Sequence, residues 1–226
     1  MKGTTAVKKL LIFILALFIL FLIPSMLFAD ESNNLILIDT FKRRLHLMED
    51  DKIIKSYPVA IGKVETPTPI GNWYIPFKAK DWGTGFGTRF LALNVPWGKY
   101  GIHGTNKPGS IGNSASHGCI RMFNRDVEDL FSKVPTNTEV IVIGNPFNPL
   151  GYPWRTIFKG HKGSDVVEVQ DALRRKGYYK DKSDGIFGWG TESALIKFQK
   201  ASKLEPSGQV GIKEYEALGL ILKREK

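Results

Sequence analysis

The 226-residue chain is long enough for one large domain or two smaller ones, and it carries a formal net charge of +10 with a single cysteine. One cysteine excludes any intrachain disulfide, and no basic run is interleaved with aromatic residues, which sets nucleic acid aside as a partner. Lys2, Lys8 and Lys9 supply three of the positive charges, so residues 30–226 keep +7, a mild excess that suits a polyanionic surface such as a cell wall or anionic lipid.

The chain opens MKGTTAVKK, runs without charge from Leu10 to Ile23, and passes Pro24 and Ser25 to Ala29. A basic start, an apolar core and a small-residue exit predict a secretory signal over residues 1–29. Counted through Ala29 the stretch is also long enough to cross a bilayer, so a retained signal anchor is the alternative. Either reading puts residues 30–226 outside the cytoplasmic membrane, with membrane contact only through an uncleaved N-terminal segment.

NLILIDT, RRLHLME and KIIKSYPVAIG follow, rich in Ile, Leu and Val and separated by FK and DD. They read as short strands joined by tight turns. PTPIG reads as a rigid turn, and KDWGTGFGTRF, with Gly83, Gly85 and Gly87, as a loop. FLALNVPW, KYGIHG and TEVIVIG read as further strands. Val127, Leu130, Phe131 and Val134 form one apolar stripe of a helix capped by Asn124 and ended by Pro135. Residues 30–145 are therefore expected to be a mainly β domain, a sandwich or barrel with one or two helices. The Pro- and Gly-rich stretch 146–162 reads as a linker. Residues 163–226 read as a small three-helix domain, with Ser164 or Asp165 capping the first helix, Gly177 stopping it and Thr191 capping the second. No period of 20–50 residues marks a repeat array.

Cys119 lies in SASHGCIRM, and His103, in GIHGT, precedes it by sixteen positions. The small, glycine-rich segment between them can fold back and bring ring and thiol together. A thiol is only a few per cent ionised at pH 7, and an imidazole that takes its proton makes it a nucleophile for covalent acyl transfer. His117 is nearer in sequence, but residues i and i+2 of a strand stand about 6.5–7 Å apart. His103 is therefore the expected base, with His117 orienting the loop or polarising a carbonyl. The backbone amides of His117, Gly118 and Cys119 are candidates for an oxyanion hole, and the planar fork of Arg121 could hold a carboxylate. A thiol poised in this way would react with iodoacetamide well below pH 8. The spacing H-x13-H-x-C, with no C-x2-C, is not a usual zinc pattern; no metal and no cofactor are expected. His46 reads as structural and His161 as solvated. The alternatives are a non-catalytic wall-binding protein and a cysteine endopeptidase, the latter disfavoured because both histidines precede the cysteine.

HGTNKPGSIGNSASHGCIRM (103–122) resembles the signature of the L,D-transpeptidase catalytic domain, in which a histidine precedes a Ser/Thr-His-Gly-Cys-hydrophobic-Arg/Asn run. YPVAIGK (57–63), TPTPIG (66–71) and TEVIVIG (138–144) also look like that family, so the resemblance covers about 34–144. It implies a β-rich fold, with Cys119 as nucleophile, His103 as proton donor and acceptor, and the carbonyl of Gly104 steadying the ring. Ser116 and Arg121 are then substrate-contact candidates. The implied donor is a bacterial peptidoglycan stem tetrapeptide, and the implied product a 3→3 cross-link or, with water as acceptor, a trimmed stem. The tail resembles the three-helix peptidoglycan-binding module through Val169, Gln170, Leu173, Gly177 and Tyr178, then Asp184, Gly185, Phe187, Gly188, Thr191, Ala194, Phe198, Gln199 and Gly208. Asp184, Trp189 and Gln199 are its candidate glycan contacts.

Overall fold

The computed structural model describes residues 34–147 and 154–221. The signal or anchor reading of residues 1–29 lies outside them. No helix among the described residues is long and apolar enough to cross a membrane.

Strands β1 (Leu35–Asp39), β2 (Arg44–Glu49) and β3 (Lys52–Pro58) follow the predicted runs. Period-two alternation turns Ile36, Ile38, Leu45 and Leu47 into the core, where all four are fully buried. Burial of such a side chain contributes about 1.5–3 kcal/mol. Asp39 Oδ1 accepts the amides of Phe41 and Lys42 to shape the first turn. At the second turn Asp50 and Asp51 both hold positive φ, the hairpin geometry that matches strand twist. β11 (Glu139–Ile143) lies parallel to β1, and β5 (Gly71–Tyr74) closes the sheet in the order β3-β2-β1-β11-β5.

A second sheet holds β6 (Lys78–Lys80), β7 (Arg89–Leu93), β8 (Tyr100–His103) and β10 (Ile120–Arg121), ordered β10-β8-β7-β6. β4 (Ile61–Gly62) and β9 (Ser114–Ser116) form a short parallel pair. Helix α1 (Asn124–Lys133) adds Val127 and Leu130 to the same hydrophobic cluster as Ile36, Leu91, Ile102, Ile120 and Val140. One continuous core shared by two sheets and a helix makes a sandwich. Asn124 is not the cap of α1: Phe123 occupies that place, and Asn124 Oδ1 instead accepts the Thr105 amide at 3.0 Å.

The second lobe has α2 (Ser164–Arg175), α3 (Trp189–Ala201) and α4 (Ile212–Leu218) around Val166, Val169, Leu173, Phe187, Leu195, Phe198 and Tyr215. Its packing takes in residues before 163. Ile157, in the stretch read as linker, is fully buried and bridged to Val210, and Lys162 is bridged to Ile186. Glycines 163 and 188 stand at the caps where Ser164, Asp165 and Thr191 were expected, because those side chains are engaged elsewhere. Ser164 Oγ accepts the Ile70 amide at 2.8 Å and donates to the Ile70 carbonyl at 3.0 Å, Asp165 pairs with Arg155, and Thr191 bonds Gln170.

This lobe contains an internal repeat that the sequence did not announce. Gln170 Oε1 accepts the amide of Gly185, and its Nε2 donates to Asp184 Oδ1, the Ile186 carbonyl and Thr191 Oγ1. Gln199 Oε1 accepts the amide of Gly208, and its Nε2 donates to Ser207 Oγ, the Gln209 carbonyl and Glu214 Oε1. Relative to each glycine, the partners sit at the same offsets. Both glycines hold positive φ, 71° and 70°. The lobes also share packing. Val167 and Ile186 join the first lobe's cluster, and a Cβ on Gly185 would lie 2.3 Å from the ring of Trp97.

Candidate active site

His103 ends β8 and is 3% exposed. β10 runs parallel to β8 with Ile120 beside Ile102 and Arg121 beside His103. Ile102 and Ile120 are fully buried in the core. Alternation therefore puts Cys119, Arg121 and His103 together on the opposite face. Strand spacing and rise leave about 8 Å between the Cα atoms of Cys119 and His103, a diagonal that side chains can span. Cys119 is half-buried and free. Among the described residues no hydrogen bond joins its sulfur to the ring.

The ring is fixed by its surroundings. Nδ1–H donates to the Gly104 carbonyl at 2.5 Å. A carbonyl only accepts, so this bond assigns the proton to Nδ1 and leaves Nε2 of the neutral ring as the acceptor. Phe86 meets the ring edge-on at 4.9 Å, and Phe90 stacks on it at 6.2 Å. The aromatic contacts continue through Trp82, stacked on Phe90, to Phe77. A Cβ on Gly104 would lie 2.2 Å from Asn124 Oδ1, and one on Gly87 would lie 2.5 Å from the Gly104 carbonyl carbon. Asn124, Gly87 and Gly104 thus lock the backbone beneath the imidazole. Sequence reading missed this use of Asn124, for which a helix cap is the ordinary explanation.

Burial pushes the His103 pKa below its usual value and the nearby Arg121 charge adds to that, against smaller opposing effects of the Gly104 and Phe86 backbone carbonyls. Burial likewise raises the Cys119 thiol, against smaller opposing effects of the Gly101 backbone and Arg121. Both directions favour a neutral thiol beside a neutral imidazole. The expectation of a thiolate that alkylates well below pH 8 does not fit this burial.

The other expected site residues divide. The hydroxyl of Ser116, 1% exposed, donates to the Cys119 carbonyl at 2.5 Å and accepts the Gly118 amide at 3.1 Å. Ser116 therefore braces the turn before the nucleophile, and the amide of Gly118 is already used. The amides of His117 and Cys119 remain as candidate oxyanion donors. Gly118 holds φ +107, and a Cβ there would lie 2.5 Å from the Tyr100 ring. That is a reason for glycine at this point. His117 is exposed and lines a separate cleft with Tyr100. Arg121 Nε is buried without a partner, and Arg121 forms no ion pair among the described residues. His46 bonds Ser56 across a strand pair at 2.7 Å, and His161, read as solvated, is half-buried and accepts the Phe158 amide. In the second lobe Gln199 is fully buried and Asp184 is committed to Gln170, so both belong to the scaffold. Trp189 is 75% exposed, with Lys159 Nζ 3.3 Å from its ring centroid.

Two family models match the chain: the L,D-transpeptidase catalytic domain over residues 33–142 and the peptidoglycan binding domain over residues 162–218. A Bacillus licheniformis protein named as the L,D-transpeptidase YkuD is 43% identical over 121 residues, 54% of this chain and 72% of the relative. The Bacillus subtilis protein of that name is 45% identical over 100 residues, 44% of this chain and 60% of the relative. The solution structure of the catalytic domain from the E. faecium L,D-transpeptidase is 24% identical, with a TM-score of 0.44, over 51% of this chain and all of that domain. The catalytic-domain match covers the sandwich that carries Cys119 and His103, the second lobe matches the peptidoglycan binding domain, and the chain belongs to the L,D-transpeptidase family.

Proposed function

We propose that this protein is an exported L,D-transpeptidase that acts on bacterial peptidoglycan and forms 3→3 cross-links through a thioester on Cys119. The observation that carries the reading is the His103 ring, held through Nδ1 by the Gly104 carbonyl, on the same sheet face as the half-buried Cys119. The donor is a stem tetrapeptide. Nε2 takes the thiol proton as sulfur attacks the carbonyl of the third stem residue, and the amides of Cys119 and His117 receive the oxyanion. The tetrahedral adduct collapses when the ring returns that proton to the nitrogen of the terminal D-Ala, which departs and leaves a thioester. A side-chain amine of a neighbouring stem then gives a proton to Nε2, attacks the thioester carbonyl and forms the new amide. The ring returns the proton to sulfur. Water in place of the amine would yield a trimmed stem, the L,D-carboxypeptidase reaction.

Arg121 stands beside His103 with an unpartnered buried Nε. Its role in this mechanism is to hold the carboxylate of the terminal D-Ala next to the nitrogen that His103 protonates. The second lobe would keep the enzyme on an insoluble polymer, raising the effective concentration of stems. The test is mass spectrometry of muropeptides after incubation of purified tetrapeptide-rich peptidoglycan with residues 30–226. Cross-linked dimers that lack one terminal D-Ala support the reading. Cross-linking by a Cys119→Ala protein would refute it.

A further inference from the structure

A cleft of about 410 Å³ runs along the junction of the two lobes. Thr66, Pro67, Trp97 and Tyr100 line it from the first lobe, and Arg155 and Lys162 from the second. Cys119 and His103 do not line it. Its wall nevertheless backs onto the nucleophile's neighbour, because Tyr100 and the Pro67 carbonyl are the groups that a side chain at Gly118 would strike, at 2.5 and 3.1 Å. The walls are joined by the paired Ser164–Ile70 hydrogen bonds and by the seat of Gly185 on Trp97.

The parallel register gives the site a direction. His103 and Arg121 lie side by side at one end, with Ile102 and Ile120 one step back; Cys119 and Gly118 precede Ile120 in the chain, and Gly118 lies against the Tyr100 ring. In transfer through a thioester, the leaving amine and the incoming amine both exchange a proton with His103, so both occupy the His103 end. The acyl group that stays on sulfur must extend the other way, past Gly118 and toward the junction. On the acyl-transfer reading of Cys119 given above, we propose that the cleft binds the acyl-donor peptide and that the second lobe is part of its binding site.

The charges in the cleft specify the ligand further. Arg155 is neutralised by Asp165 through bonds of 2.5 and 2.8 Å. Lys162 and Glu65 also line the cleft, and neither forms an ion pair among the described residues. One uncompensated cation and one uncompensated anion match a peptide that carries both a carboxylate and an amine, as a stem with a diamino acid does. The second lobe then selects the donor chemically, beyond holding the enzyme to a polymer.

The test is calorimetric binding of a soluble disaccharide tetrapeptide to the Cys119→Ala protein, which cannot turn it over. Adding Lys162→Glu should weaken binding about tenfold or more, whereas Lys197→Glu, the same charge change at an exposed position outside the cleft, should leave it unchanged. Equal affinity of the two variants, or no binding by the Cys119→Ala parent, would overturn the proposal. The measurement is independent of catalysis, so failure of the muropeptide assay with intact binding would refute the reaction and leave the binding site standing.

Discussion

Arg121 stands beside His103 in the parallel pairing of β10 with β8, so a permanent cation adjoins the ring expected to accept a proton. Its charge adds to the effect of burial, and together they lower the pKa of the ring against the opposing Gly104 and Phe86 carbonyls. The acid limb of kcat/KM should therefore lie below about pH 6.5, the ordinary histidine value. Burial raises the thiol, so alkylation of Cys119 by iodoacetamide should be slow at neutral pH and climb only above the ordinary thiol range. A pH series of inactivation rates checks this. Rapid alkylation at pH 6 would mean that thiolate and imidazolium already coexist at rest.

Ser116→Ala should act on the turn and not on substrate affinity. It removes the donor to the Cys119 carbonyl and the acceptor of the Gly118 amide from a buried position. The expected loss is about 1–3 kcal/mol of stability, with kcat reduced and KM within about twofold of the parent. A large rise in KM alone would return Ser116 to the substrate contacts.

Asn124→Ala leaves the Thr105 amide without its acceptor and opens space against Gly87 and Gly104. The ring of His103 is then aimed less well, and kcat should fall about 10–100-fold. Asn124→Asp keeps an acceptor in place and should recover much of the loss. Turnover by the two variants, compared at matched folded fraction, reads the difference.

Tyr57 donates to Asp129 at 2.5 Å, and Asp129 also meets Lys133 and Lys55. Burial and that carboxylate hold the phenol far above its usual pKa, while Lys133, Lys55 and Tyr57 hold Asp129 well below the carboxylate range. For the tyrosine, the folded state keeps a proton that the unfolded chain loses above about pH 10, so stability falls as pH rises beyond that point. For Asp129, stabilisation is present above about pH 4 and fades as pH falls below it. Tyr57→Phe should flatten the alkaline slope in urea titrations at pH 8 and pH 11. Part of the slope should remain, because burial also raises Tyr215.

Gln170→Leu and Gln199→Leu should cost the second lobe similar amounts, about 2–4 kcal/mol each, since each leaves a glycine turn and several buried polar groups without partners. Thermal unfolding of the two variants tests the equivalence of the two halves.

The strands were legible because Ile, Leu and Val alternate across β1 and β2, and the Asp50–Asp51 turn carries its own signal. The pairing of His103 with Cys119 was legible as a motif and not as geometry, since nothing in the fifteen intervening residues states that β8 and β10 are neighbours. Helix starts were misread wherever a capping residue had a stronger use: Asn124 serves a loop amide and Ser164 serves the other lobe. The role of Ser116 was hidden for the same reason, because a hydroxyl beside a nucleophile looks the same in sequence whether it faces substrate or backbone. The likeness of Gln170 to Gln199 escaped a search for periods because 15 positions separate Gln170 from Gly185 and only 9 separate Gln199 from Gly208. The repeat is one of bonding pattern and not of spacing.

β1 is flanked by β2, made at once, and by β11, made about a hundred residues later. Until Glu139–Ile143 is available, one long edge of the first strand stays unsatisfied and the central sheet cannot close. Such a long-range closure is slow. Synthesis halted at any point before residue 143 would thus yield a sticky, protease-sensitive fragment with no partial activity. The sandwich is a commitment made only when its last strand arrives.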